Sequence, residues 1–244
     1  MFKIYQVGGS VRDEILGVKS KDIDFVAVPS EELISKYSEA SDMFSVLVSY
    51  LKSEGYELFL ITENCFTIRG KFPKNNPNEG LVADFVMSRR ETGYIPNTRT
   101  PIIKPGTLFD DLQRRDFTLN ALAKDDDGTI IDYFGGIKDL DDKILRTPLS
   151  PIKTFDDDGL RIIRCVRFSI TKGFSIPYDI TNIIKEYDYE TKMRVVSIER
   201  IREELFKCFK FDTIKTIEIL QKYPKLFNYI FKDNVLWLKP TMEL

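Results

Sequence analysis

Asp22 and Asp24 stand one residue apart in the run Asp22-Ile23-Asp24-Phe25-Val26-Ala27-Val28, which has the composition of a β-strand. Side chains alternate across a strand, so both carboxylates leave one face about 7 Å apart along the backbone and can converge on one cation. Asp84 lies in the apolar run LVADFV, where a carboxylate is out of keeping with its neighbours and can supply a third oxygen ligand. Hard oxygen donors without histidine favour Mg2+. Taken alone, an Asp-x-Asp pair suits a solvated strand face better than a metal site. The segment Gly8-Gly9-Ser10-Val11-Arg12-Asp13 just upstream shifts that balance. Glycines let a phosphate approach backbone N–H groups, a helix N-terminus favours anions, and Arg12 offers a guanidinium for a further phosphate contact.

A phosphate-holding turn followed by a carboxylate pair is the combination that nucleotidyl transfer requires. One part holds a triphosphate, the other the metals that activate a 3′-hydroxyl and the leaving pyrophosphate. The chain has 244 residues and no histidine, which excludes Ser-His-Asp and Cys-His catalysis and His-ligated zinc. Catalysis must therefore run on carboxylates, Lys, Arg or bound metal. Cys65, Cys165 and Cys208 lie far apart without a CxxC pair, which predicts a reducing, cytoplasmic setting. No apolar run reaches the ~18 residues of a membrane helix, and with a strand pattern beginning at Phe2 no signal peptide is expected. The net charge is only −2, but its distribution is uneven, −7 over residues 1–159 and +5 over 160–225. An acidic lobe that holds metal beside a basic lobe that approaches phosphates fits that split, as do ordinary solvated helix faces.

The elements that must position these groups follow from periodicity and turn chemistry. Residues 2–7 read as a strand ending at Gly8-Gly9, with Ser10 capping a short helix, Asp13 three residues on, and Gly17 closing it. A strand over 22–28, a helix over 31–53 and strands over 56–61, 65–72 and 81–87 follow, with Pro73–Gly80 as a turn. Residues 89–106, with Pro96, Pro101 and Pro105 and no periodicity, predict a mobile loop. Helices dominate from Thr107 onward, interrupted by a hairpin at 129–136 around Gly135-Gly136. The expected class is α+β, with a mixed-sheet head over 1–145 and an all-helical region over 146–244.

Gly-Gly-x-Val-Arg-Asp followed by Asp22-Ile23-Asp24 resembles the first motif of the class II CCA-adding enzyme and bacterial poly(A) polymerase family, within the DNA polymerase β-like nucleotidyltransferases. Later segments agree in order. Arg114-Arg115-Asp116-Phe117-Thr118-Leu119-Asn120-Ala121-Leu122 is similar to the second motif, which handles the ribose and phosphates of the incoming nucleotide. In helical register Asp116 and Asn120 share a face there while Leu119, Leu122 and Ala123 pack inward. Residues 132–140 (DYFGGIKDL) resemble the hinge between head and neck, and Val196 to Glu204 resembles a helical motif that braces the neck. The resemblance spans about residues 5–210. It implies a polymerase β-like head followed by a neck with a short remnant of the body, most of the body and tail domains being missing.

Asp157-Asp158-Gly159-Leu160-Arg161 bears on substrate choice. Read on one helix, Asp158 and Arg161 are i, i+3 and Asp157 and Arg161 i, i+4, which is also the spacing of a surface salt bridge. Cytosine and adenine each present an amino donor beside a ring-nitrogen acceptor, which a carboxylate next to a guanidinium matches; guanine and uracil present the opposite pair. This segment looks like the family's acidic-acidic-x-x-Arg nucleotide template. The resemblance implies Mg2+ on Asp22 and Asp24, with Asp84 a lesser ligand, and a triphosphate held by Gly8, Gly9 and Arg12. Arg115, Asp116 and Asn120 position ribose and phosphates, Asp158 and Arg161 select C or A, and Arg164 reinforces a phosphate or base contact. Arg194, Arg200, Arg202, Lys207 and Lys210 offer cations to the acceptor stem of a tRNA. The implied activity is addition of C and A from CTP and ATP to a tRNA 3′ end. CC-only, A-only and poly(A) synthesis share these motifs, and a non-catalytic RNA-binding protein of the same fold is the reading from another class.

Overall fold

The computed structural model describes residues 1–20, 23–95, 98 and 100–231. Its described residues divide into two compact units, one made of Met1–Tyr94 and Thr100–Asp141, the other of Ile95, Thr98 and the residues from Asp142 onward. In the first unit, β1 (Phe2–Val7), α1 (Gly9–Ile15) and β2 (Asp24–Pro29) lead to α2 (Glu31–Lys36) and α3 (Ala40–Ser53). Then come β3 (Glu57–Thr62), β4 (Thr67–Lys71), β5 (Val82–Met87), β6 (Arg89–Tyr94), β7 (Pro101–Pro105), α4 (Leu108–Gln113), β8 (Leu122–Lys124), β9 (Ile130–Asp132) and α5 (Gly136–Asp141). Seven of these strands form one sheet in the order β3-β4-β5-β2-β1-β8-β9. Only β2 and β5 pair in parallel, so the sheet is mixed, as expected for the α+β class.

Strand alternation splits the core between the two sheet faces. Phe25, Ala27, Ile68, Ala83, Phe85 and Met87 face one side, where α3 packs Ala40, Met43, Phe44, Leu47 and Leu51 against them at helical spacing. Val7, Val26 and Ala123 face the other side, against Leu108 and Leu112 of α4. Thr107 caps α4 by a reciprocal box: its hydroxyl accepts from Asp110 N at 3.2 Å, while Asp110 Oδ2 accepts from Thr107 N at 2.8 Å.

Several local expectations are corrected. The helix read over 31–53 is two helices, broken where Tyr37 turns extended. Residues 89–106 include an antiparallel ribbon, β6 on β7, paired from Arg89↔Pro105 to Tyr94↔Pro101 with a register shift between Glu91 and Gly93. Pro101 and Pro105 stand at the two ends of β7, where a missing N–H costs the ladder little. The hairpin placed at 129–136 is instead β8–β9, turning at Asp125–Gly128 with Gly128 at φ 87°, while Gly136 starts α5. Helix α1 begins at Gly9 with Gly8 as its cap residue; Ser10 lies inside and donates to Val7 O instead of capping. Gly17 has φ 67° just past the end of α1, the conformation expected of a helix-closing glycine.

The second unit is built of helices α6 (Pro151–Asp157), α7 (Leu160–Thr171), α8 (Tyr178–Glu186), α9 (Tyr189–Lys192), α10 (Ile198–Phe211), α11 (Thr213–Gln221) and α12 (Pro224–Phe231). Leu160, Ile163, Val166 and Ile170 of α7 and Ile201, Leu205 and Cys208 of α10 are buried at helical spacing. No helix of the described residues is long and apolar enough to cross a membrane. All three cysteines are free.

Candidate active site

The site in the first unit is set by register. Asp24 opens β2 and pairs with Asp84 on the parallel strand β5, so the two carboxylates leave the same face from strands about 4.8 Å apart. On its other side Asp24 pairs with Val7, the residue before the Gly8 turn. Asp22 lies outside the described residues. The donor set is hard and all oxygen, and both side chains reach solvent, so Asp24 and Asp84 fit a Mg2+-type cation. Asp84 also meets Arg69 Nη1 at 3.6 Å from the next strand outward.

At the turn, Gly8 takes φ 74° and ψ −133° and donates to Leu122 O at 3.1 Å. The positive φ is what requires glycine at position 8, and the absent side chain also leaves room for the tip of Arg115, whose Nη1 lies 2.8 Å from where a Cβ would stand. Arg12 is 7% exposed, and its guanidinium donates to Asp13 Oδ1 at 2.8 and 2.9 Å and to Asn120 Oδ1 at 2.5 Å. Asn120 in turn donates to Asp116 Oδ1 at 2.9 Å. A buried polar chain thus joins two segments 108 residues apart, and Arg12 braces the turn from beneath. Asp116 and Asn120 do meet, but not on a helix. Thr118–Asn120 form a single 3-10 turn, after which the chain enters β8 to pair with β1.

Asp111 escaped the sequence reading. It is fully buried and accepts from Arg114 at 2.5 Å and from Arg115 at 2.9 Å, while Arg114 also approaches Glu91 of β6 at 3.9 Å. Its spacing of three and four residues from two arginines was the available signal. Burial pushes its carboxyl pKa up, but Arg114 and Arg115 outweigh that and hold it below the ordinary value. With the folded value depressed below an unfolded value of about 3.9, its stabilisation is complete above about pH 4 and lost as pH falls through the folded value. The thermal midpoint is therefore expected to fall steeply below that pH, and Asp111→Asn to start lower at neutral pH and lack this part of the decline. Parallel acid limbs in the two proteins would contradict the assignment.

In the second unit, the segment expected on one helix is a helix break. Asp157 ends α6 and pairs with Lys153 at 3.0 Å, while Asp158 turns extended at φ −153°. Gly159 is required there because a Cβ would sit 2.8 Å from Met193 Cγ. Asp158 Oδ1 accepts from Leu160 N at 3.0 Å, and Oδ2 meets Arg200 at 3.7 Å. Arg161 donates to Thr154 O at 3.1 Å. Arg164 lies 3.9 Å from Glu204 and over the Phe168 ring. Glu204, 5% exposed, also binds Arg167 and Lys207. Of the cations assigned to RNA, Arg200 and Lys207 are thus engaged in ion pairs, Arg202 is half-buried, and Arg194 and Lys210 are exposed.

Residues 4–146 match the family model described as the poly A polymerase head domain. Over 99% of its length the chain is 32% identical to a CCA-adding enzyme of Ligilactobacillus salivarius, covering 54% of that protein. A CCA-adding enzyme of Staphylococcus aureus is 32% identical over 94% of the chain and 51% of its own length. Among solved structures, the Thermotoga maritima CCA-adding enzyme complexed with tRNA superposes with a TM-score of 0.70 at 26% identity, over 98% of this chain and 50% of that one. The Bacillus stearothermophilus CCA-adding enzyme in complex with CTP gives 0.69 at 25% identity, over 90% and 47%. The chain spans about half the length of the curated relatives it matches.

Proposed function

The chain belongs to the poly(A) polymerase head-domain family, and on that premise we propose that it is a nucleotidyltransferase adding C and A from CTP and ATP to the 3′ end of tRNA. The observation that carries this reading is the register Val7–Asp24–Asp84. It puts two carboxylates on one sheet face, beside the turn where Gly8 admits Arg115. The names of the similar proteins, CCA-adding enzymes, support the choice of tRNA and of C and A. We assign residues 1–145 to a catalytic head and those from 146 onward to a helical neck, and we place the protein in the cytoplasm.

Asp24 and Asp84, with Asp22, would hold a divalent cation, for which we propose Mg2+. When bound, such a cation activates the attacking hydroxyl and neutralises charge on the leaving pyrophosphate. The Gly8-Gly9 turn lets the triphosphate come close to the backbone, and Arg115 supplies a guanidinium there. Arg12, Asp116 and Asn120 keep that turn and the 3-10 segment in fixed relation, so the phosphate groups meet a preorganised surface. In the neck we assign nucleotide selection to Asp158 and Arg161, with Arg164 reinforcing. Arg194, Arg200, Arg202, Lys207 and Lys210 remain the proposed contacts to the acceptor-stem backbone.

The deciding experiment is Mg2+-dependent incorporation of labelled CTP and ATP into tRNA lacking its 3′ end, run beside a generic RNA primer. Extension of the tRNA by C and A alone is expected. Equal extension of the generic primer would redirect the reading to polyadenylation, and no extension of either would leave a binding protein. In the same assay Asp158→Ala should admit UTP and GTP while total metal dependence stays unchanged, because the acceptor for the amino group of C or A is gone. Nucleotide choice unaltered by that substitution would leave Asp158 as a helix-break and ion-pair residue.

A further inference from the structure

Across the sheet, the phosphate turn follows β1, the carboxylates sit on β2 and β5, and β4 and β3 lie beyond them. Attacking and leaving oxygens in phosphoryl transfer are roughly in line, so the nucleophile must approach from the side of the carboxylates opposite the triphosphate. That side is β4. Arg69 is the register partner of Asp84, and Lys71 follows two residues on, so both cations share the face of Asp24 and Asp84.

This half of the face is open. The Arg69 and Lys71 side chains are 55% and 44% exposed, and their cross-strand partners Leu60 and Val82 are 58% and 42% exposed. Ile68 and Gly70, which alternate with them, are buried toward α3, so the strand itself is firmly seated. A bulge between Leu58 and Leu60 leaves Phe59 on this edge strand 52% exposed. Two cations next to exposed apolar and aromatic side chains suit a single strand, whose phosphates take the charges and whose bases take the apolar surface. A protein partner or a second copy would bury Arg69 and Lys71 against an apolar rim, at a desolvation cost a phosphodiester backbone offsets directly.

We propose that the β3–β4 edge is the seat of the primer's single-stranded 3′ end, with Arg69 and Lys71 binding its last phosphates. The inference rests on the nucleotidyltransferase reading and names the RNA surface of that same site. The test uses the full chain and a tRNA ending just before its added nucleotides, with binding followed by fluorescence anisotropy across a salt series. Arg69→Gln/Lys71→Gln should weaken primer binding about tenfold and flatten the salt dependence by roughly 0.7 log unit per lost phosphate contact. Lys71→Gln, whose partner is Glu57 rather than Asp84, should lose about half of that slope change. Arg69→Lys should keep most of the affinity, and CTP binding should be unchanged in Lys71→Gln, whose cation does not touch the metal carboxylates. A 4-thiouridine at the primer 3′ end should cross-link to a peptide within 57–71. Primer affinity and salt slope equal to wild type in the double variant, or cross-links confined to residues after 142, would overturn the proposal. So would a concentration-dependent dimer abolished by Leu60→Lys with primer binding intact. Wild-type chain that binds the primer but incorporates nothing would instead count against the parent reading alone.

Discussion

Asp24→Asn is expected to lower nucleotide incorporation about a thousandfold, which corresponds to roughly 4 kcal/mol of transition-state stabilisation. The fold should not suffer. Asp24 is the exposed first residue of β2 and contributes a carboxylate, not packing, to a site where it stands beside a second one. Two carboxylates in register on adjacent strands repel each other, and Arg69 at 3.6 Å from Asp84 offsets part of that repulsion before any metal binds. Removing one should therefore leave the thermal midpoint unchanged or slightly raised in metal-free buffer and abolish the further rise that Mg2+ gives the wild type. The paired measurement is single-turnover incorporation and thermal unfolding with and without Mg2+. Turnover near wild type would remove Asp24 from the chemistry, and a clearly lowered midpoint without metal would make it a structural residue.

Gly136→Ala should be the most damaging small substitution in the first unit. A Cβ at Gly136 would fall 2.3 Å from Thr118 O and 2.8 Å from Thr118 C, both backbone atoms that cannot swing aside. The surroundings are held from several directions. Asp132 accepts from the N–H groups of Phe134, Gly136 and Ile137, and Asp139 accepts from the Thr118 hydroxyl at 2.6 Å. Relief requires moving the 3-10 turn that carries Asn120, and with it the Arg12 and Asp116 contacts. A loss of about 2–4 kcal/mol is expected, together with weaker nucleotide binding. The neighbouring Gly135 is a control, because its φ is 75° but a Cβ there meets nothing within 4 Å. Gly135→Ala should cost only about 1 kcal/mol, from the left-handed backbone alone. Denaturant unfolding of both variants checks this, and equal losses would mean that the close approach to Thr118 is not what fixes glycine at 136.

Segment 132–140 shows where sequence reading stopped short. DYFGGIKDL resembles the family's hinge and its paired glycines read as a hairpin turn, yet the two glycines have different reasons, one conformational and one a backbone contact with residue 118. The same limit applies to Pro101 and Pro105, which read as breakers and are the ends of β7. It applies again to Asp157–Arg161, where a regular i, i+3 spacing conceals a helix break at the extended Asp158, with Met193 packed on Gly159 beside it. For Gly136 and Gly159 the deciding contact, Thr118 or Met193, lies 18 or more residues away, so no local pattern announces it.

The sequence by itself determined the chemistry available. Without histidine, and with acids at 22, 24 and 84 behind a Gly-Gly turn, it limited the site's chemistry to carboxylates, Lys, Arg or a bound metal, the basis of the proposed metal and phosphate sites, and its strand and helix periods pointed to a mixed α+β head before a helical region. Those are properties of residue type and short-range spacing, which a chain carries before it folds. Only tertiary structure decided which groups act together. The parallel pairing of β2 with β5 sets Asp84 beside Asp24, and Asn120 locks Arg12 across 108 residues. Burial turns Asp111 from one acid among many into the anchor of Arg115, and the strand order leaves Arg69 and Lys71 on the open side of the carboxylates. Register and burial are set by which apolar faces pack, α3 against one side of the sheet and α4 against the other, and that choice is made by the whole core at once.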